Sequence, residues 1–233
     1  VLLFCIMQIP NEMLDRSPNL KIVQFVGTGV ETFIDIEYAK TKGIKVLKIE
    51  GYGNNGVAEF AIAGIFAAAR QVGLGNTTVR SGKWTAEGCE GMEISGSKVG
   101  VVGTGNIGAL VAKKCHALGA NVVAFDVFQS TELKDTYKIP YVSLEEIFAT
   151  CDIITLHLKV NEKTAGIISK DLIESMKQRS LFVNVARAEL VDNKALFQAL
   201  QERRIMGALI DVYEQEPPQG LNFQGLENVV FTP

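Results

Sequence analysis

The 233-residue sequence predicts an α/β protein, a doubly wound parallel sheet with a second, smaller α/β domain. Three observations carry that reading. From Lys98 onward, short apolar runs alternate with helix-like stretches, and strands spaced by helices form parallel sheets. A glycine-bearing turn, Gly103-Thr104-Gly105-Asn106-Ile107-Gly108, stands between one such run and a helix-like stretch. Ahead of Gly51, three further apolar runs repeat the alternation on a smaller scale.

Taken in order, residues 2–7, 21–26 and 44–49 read as strands, with a helix-like stretch over 36–42. A linking helix is expected over 57–72, where Ala58, Ala61, Ile62, Ile65, Phe66 and Ala69 recur at helical spacing. Residues 76–97 are polar and glycine-bearing and contain Trp84, the only tryptophan, so they read as an extended arm or loop. Strands follow at 98–102, 121–125, 152–156, 181–185, 206–210 and 228–231, with helices near 106–118, 144–149, 169–177 and 192–203. The smaller domain is thus expected to occupy 1–75 and the larger 76–233, the arm included. The chain begins at Val1 rather than Met and stops at Pro233 after a strand-like run, so both domains are expected to be incomplete at the chain ends.

Composition narrows the partners. A net charge of −3 and a pI near 5.6 provide no basic field for nucleic acid or an anionic membrane. The run at 2–7 is too short to span a bilayer and no positive segment precedes it. Cys5, Cys89, Cys115 and Cys151 are scattered with no metal-ligand spacing. They read as small buried or half-buried hydrophobes in a reducing compartment, which makes the expected location cytoplasmic and the expected metal none.

The glycine turn points to a dinucleotide. Gly103 makes the sharp turn after the strand, Gly105 lets a pyrophosphate approach the backbone, and Gly108 lets the helix pack closely. Unpaired amides at Asn106 and Ile107, on the positive end of the helix dipole, would then hold the phosphates. Asp126 ends the next strand at about the twenty-residue spacing expected of a carboxylate that binds a ribose diol. Val127-Phe128-Gln129 follows with no Arg or Lys to meet a 2′-phosphate, so NAD is expected in preference to NADP.

Ligands in such sheets lie beyond the carboxyl ends of the strands, so the residues following each strand carry the chemistry. These are His157, Ala186 and Arg187, and Asp211 with Glu216 five residues on. Arginine suits bidentate binding of a carboxylate, which points to an acid or oxo-acid substrate, although an ordinary ion pair would also explain it. Glu216 equally fits a solvated charged turn, and His157 a strand-end histidine bonded to the backbone.

These pieces, with Gly27-Thr28-Gly29, Val57-Ala58-Glu59 and Gly82-Lys83-Trp84, resemble in order and spacing the D-isomer-specific 2-hydroxyacid dehydrogenases. The resemblance covers nearly the whole chain and implies a Rossmann nucleotide domain beside a flavodoxin-like substrate domain. It implies that Arg187 binds the carboxylate and carbonyl of a 2-oxo acid. Asp211 and His157 would lie near the cofactor. Glu216 would bond to a catalytic histidine and raise its pKa. Backbone amides around Thr28, Gly29 and Val30 would help hold the substrate carboxylate. The family's acid–base histidine follows a strand ending in Thr-Pro, where this chain has Thr232-Pro233, so it is expected beyond the sequence. His157 matches a different family position and cannot replace it. A homodimer is implied as well, with the arm at 76–97 contributing.

Two departures stand out. Lys159-Val160-Asn161 replaces a common Pro-x-Thr, and Ala188 stands where glycine usually follows the arginine, at a cost if that backbone needs positive φ. The leading expectation is an NAD-dependent oxidoreductase that interconverts a small D-2-hydroxy acid and its 2-oxo acid. Relatives acting on formate, phosphite or phosphorylated hydroxy acids are the enzyme alternatives. A non-catalytic NAD-sensing or corepressor-like dimer is the alternative from another class.

Overall fold

The computed structural model describes residues 1–5, 7–27, 29–218 and 225–233. They form two compact units, Val1–Asn55 and Gly56–Pro233. The break falls about twenty residues ahead of the expected boundary at 75. The reason is the linking helix, whose Ala58, Ala61, Ile65, Ala68 and Ala69 are buried with Val99, Val101 and Leu209 of the second unit.

The first unit contains β1 (Leu2–Phe4), α1 (Asn11–Asp15), β2 (Ile22–Phe25), a 3₁₀ turn (Val30–Thr32), α2 (Ile36–Thr41) and β3 (Lys45–Lys48). Its three strands are parallel in the order β1-β2-β3, with Leu2 opposite Val23 and Val23 opposite Val46. Asp35 caps α2 by accepting the Tyr38 amide at 2.9 Å, the polar start signal that precedes a helix. The core is aromatic: the Phe25 ring lies 5.0 Å from that of Phe4 and 5.2 Å from that of Phe33.

The linking helix, α3 (Asn54–Ala69), stops at Gln71, which adopts the left-handed conformation with φ 51°. Beyond it the chain forms another helix, α4 (Val72–Arg80), whose residues 76–80 fall where the extended arm was expected to begin. Gly73, Gly75 and five β-branched or amide residues make this stretch a poor helix former by local propensity. It is nevertheless wound without burying a residue.

In the larger sheet, β4 (Lys98–Val102), β5 (Asn121–Phe125), β6 (Ile153–Leu156), β7 (Leu181–Asn184), β8 (Gly207–Ile210) and β9 (Val229–Phe231) match the expected strands to within one residue at either end. All neighbours are parallel, in the order β5-β4-β6-β7-β8-β9. Between them come α5 (Asn106–Ala117), the short α6 (Thr131–Asp135) that the sequence pattern did not mark, α7 (Leu144–Thr150), α8 (Lys170–Ser175) and α9 (Asn193–Gln201). Residues of α3 and α5 are buried in one hydrophobic cluster, those of α7, α8 and α9 in another. This is the doubly wound arrangement, with helices on both faces. Strand order reverses at β4, which pairs with both β5 and β6, and that reversal opens a crevice at the carboxyl ends.

All four cysteines are free. Cys115 and Cys151 are buried, Cys89 is half-buried, and Cys5 is exposed rather than packed as expected. Among the described residues no single helix is long and apolar enough to cross a membrane.

Candidate functional site

Because every strand of the larger sheet runs the same way, the residues that follow β4, β5, β6, β7 and β8 share one rim. The glycine turn sits at the centre of it. Gly103 has φ 93°, and a β-carbon there would stand 2.7 Å from the carbonyl carbon of His157. A β-carbon on Gly108 would stand 1.9 Å from the Gly103 carbonyl oxygen. The protein's own backbone therefore demands both glycines. Gly105 is different: it is exposed, its φ is −64°, and nothing lies within 4 Å of where a β-carbon would be. It is also the N-cap of α5 and offers no side-chain bond, so the first-turn amides at Asn106 and Ile107 have no capping partner. Open space above uncapped amides is what a pyrophosphate requires.

Asp126 is held ready beside the turn. Its Oδ2 accepts the Thr104 amide at 2.7 Å and its Oδ1 accepts the Phe128 amide at 2.9 Å. An ionised carboxylate offers about four acceptor sites, so two backbone bonds orient it and leave capacity for a diol. The Thr104 hydroxyl lies 2.8 Å from the Tyr141 hydroxyl, which accepts the Ser130 amide at 2.9 Å. Thr104 and Tyr141 thus brace the acid, and sequence reading assigned neither a role. Val127, Phe128 and Gln129 follow the acid, the first two 79% and 84% exposed, and none of the three is a cation.

His157 closes the floor. Its Nε2 lies 2.9 Å from Thr155 Oγ1, and burial pushes the imidazole pKa down to about 3, so the ring is neutral near pH 7. A neutral ring keeps one N–H and is not an acid of the imidazolium kind near pH 7.

On the other side of β6, Asn184 ends β7 and its side chain folds the next residues. Its Oδ1 accepts the Ala186 amide at 3.0 Å and its Nδ2 donates to the Arg187 carbonyl at 2.9 Å. Arg187 is exposed and donates to the Ala186 carbonyl at 2.7 Å. Among the described residues it makes no ion pair. Ala188 is not among the residues at positive φ, and alanine in place of glycine costs no strain there. Asn184 is the residue most clearly missed; a polar residue closing the apolar strand Leu181-Phe182-Val183 was the available signal.

Asp211 follows β8, and its Oδ1 accepts from the Thr232 hydroxyl at 2.6 Å. Burial raises its pKa above the ordinary carboxylate value, the Glu216 charge adds to the rise, and the Thr232 bond opposes it. Glu216 is exposed, and its Oε1 accepts the Tyr213 amide at 3.3 Å.

The expected substrate-loop residues belong to the first unit. Thr28 lies outside the described residues. Gly29 caps the 3₁₀ turn, and Val30 is 2% exposed with its side chain in that unit's core, so only its backbone is left to contact a ligand.

Residues 62–233 match the profile of the D-isomer specific 2-hydroxyacid dehydrogenase NAD binding domain. The chain is 38% identical over 227 residues to a D-3-phosphoglycerate dehydrogenase of Archaeoglobus fulgidus, covering 97% of this chain and 43% of the relative. It is 35% identical over 230 residues to a hydroxypyruvate reductase of Thermotoga maritima, covering 97% and 74%. The solved acyclic imino acid reductase Bsp5, in complex with NADPH and D-Arg, superimposes with a TM-score of 0.85 at 28% identity, covering 99% of this chain and 73% of that one. The chain therefore spans less than half the length of the phosphoglycerate dehydrogenase and about three quarters of the other two.

Proposed function

The chain belongs to the D-isomer-specific 2-hydroxyacid dehydrogenases and carries their NAD-binding domain, and from that premise we propose that it interconverts a small D-2-hydroxy acid and its 2-oxo acid. The observation that carries the reading is the pairing of Gly105, open above uncapped amides, with Asp126, oriented by two backbone amides.

Gly105, Asn106 and Ile107 would hold the pyrophosphate and Asp126 the adenosine ribose; when bound, the dinucleotide supplies or accepts the hydride. Arg187 holds the substrate carboxylate, as its exposed guanidinium, without an ion pair among the described residues, and its position beyond β7 support. Ala186 lines the same strand end. Asp211, near the cofactor, keeps a carboxyl of raised pKa beside Thr232. Glu216 is assigned to orient the acid–base histidine that the family resemblance implies. The Asp126 carboxylate, followed by no cation, favours NAD over NADP because a 2′-phosphate would meet negative charge there. The substrate is a 2-oxo acid of the size the relatives' names indicate, glyoxylate or hydroxypyruvate among them.

Calorimetric titration of the full chain with NADH and NADPH, followed by a panel of 2-oxo acids monitored for NADH consumption, tests this. NADH is expected to bind at least about tenfold more tightly than NADPH, a difference of one lost charge-assisted contact. Equal binding removes the cofactor preference, and absence of both binding and turnover removes the enzyme reading. A homodimer is also proposed, because Val72 and Val79 of α4 and Trp84 beyond it are 56%, 55% and 93% exposed. Sedimentation equilibrium that shows a monomer at micromolar concentration rejects it.

A further inference from the structure

Asn184 is 2% exposed, and the three residues before it on β7 are buried and apolar. A buried carboxamide must satisfy two donors and two acceptor lone pairs, and this one is committed to the loop that follows it. The Oδ1 bond to the Ala186 amide and the Nδ2 bond to the Arg187 carbonyl close a tight turn over residues 184–187. The backbone carbonyl of Asn184 also accepts the Asp211 amide at 3.1 Å. One buried residue thus ties together three positions assigned to the site.

Resting on the reading of Arg187 as the carboxylate holder, we propose that Asn184 is the positioning residue for that arginine. Its carboxamide holds Arg187 in extended backbone, φ −152° and ψ 144°, with the guanidinium beyond the end of β7. The physical reason is entropic. A long exposed side chain on a mobile loop loses backbone as well as rotamer freedom when it binds a ligand, and a loop fixed in advance removes the backbone part of that loss. The alternative is that Asn184 only completes the hydrogen bonding at a strand end. That role would stabilise the fold without any energetic link to the ligand on Arg187.

A double-mutant cycle separates the two. Oxalate, a dicarboxylate that accepts no hydride here, is titrated into the NADH-saturated full chain as wild type, Asn184→Asp, Arg187→Ala and the double variant. Asn184→Asp keeps the acceptor for the Ala186 amide and loses the donor to the Arg187 carbonyl. It is expected to weaken oxalate about tenfold, with NADH affinity changing less than about threefold, the usual size of one lost hydrogen bond at a charged site. In the Arg187→Ala background it is expected to add no further loss, the signature of coupled residues. Additive losses, or unchanged oxalate affinity in Asn184→Asp while Arg187→Ala abolishes binding, overturn the positioning role and leave the Arg187 reading standing. Oxalate affinity in Arg187→Ala equal to that of wild type overturns the Arg187 reading itself. If Asn184→Asp does not fold, hydrogen exchange in the wild type decides: the Ala186 amide is expected to be protected like those of β7, and rapid exchange overturns the clamp.

Discussion

Gly103 and His157 meet backbone to backbone at the point where β4 and β6 diverge, with room for a hydrogen on the glycine and for nothing larger. The same turn presents Gly105 to open space. Three glycines in one motif therefore answer two demands. Gly103 and Gly108 are required by the protein's own packing, and Gly105 is free of it.

Substitution separates these demands. Gly103→Ala, forced to φ 93° against the backbone of residues 157 and 158, is expected to lose about 2 kcal/mol or more of unfolding free energy in urea. Gly105→Ala is expected to shift stability by less than about 1 kcal/mol, the scale of an N-cap change. It should nevertheless weaken NADH about tenfold or more by filling the space that a phosphate needs. Equal stability losses in the two variants would contradict the assignment.

Asp126→Asn keeps the volume and an acceptor and removes the charge. NADH affinity is expected to fall about tenfold, the cost of turning a charge-assisted bond into a neutral one. NADPH should lose less or gain, since its 2′-phosphate no longer faces a carboxylate. Parallel titrations of both nucleotides report the ratio, and an unchanged ratio would show that Asp126 does not contact the ribose.

Acid stability tests His157. Its folded pKa, about 3, lies below the unfolded value of 6.5. The unfolded chain therefore binds the extra proton between those values, and the neutral half-buried ring contributes stability that is whole above pH 6.5 and lost as pH falls toward 3. His157→Gln is expected to flatten the dependence of the urea midpoint on pH between 6 and 4, removing about 1.4 kcal/mol per pH unit for one proton. An identical slope in wild type and variant would show that another group carries the acid limb.

Asp211 has the opposite sign. Its folded pKa is raised, so the folded state binds more protons just above pH 3.8, and stability from this group falls as pH rises through that window. Asp211→Asn retains an acceptor for the Thr232 hydroxyl and removes the repulsion from Glu216. Its thermal midpoint at pH 7 is expected to equal or exceed that of wild type, while turnover of 2-oxo acids drops. A clear loss of stability would mean that the ionised carboxylate supports the fold.

Much of the fold was legible in the sequence because each strand of the larger sheet is a short apolar run bounded by polar or glycine punctuation. All six appear within a residue of their expected ends. The helix at Val72–Arg80 was not legible, since its glycines and threonines argue locally for a loop. Nor was the break at Asn55, which depends on where the alanine face of α3 is buried.

The amino-acid order alone determined the alternation of strand and helix, the glycine turn, and the residue that closes each strand. Parallel strands place those residues at one rim whatever the packing details. Only the tertiary structure decided which groups are free to act. It committed Asn184 to the Ala186–Arg187 turn, neutralised His157 by burial and left the Arg187 guanidinium without an ion pair among the described residues. It also oriented Asp126 through Thr104 and Phe128. Spacing along a chain sets which residues can meet. Desolvation and competing hydrogen bonds, which exist only once the chain has packed, set what each can still do.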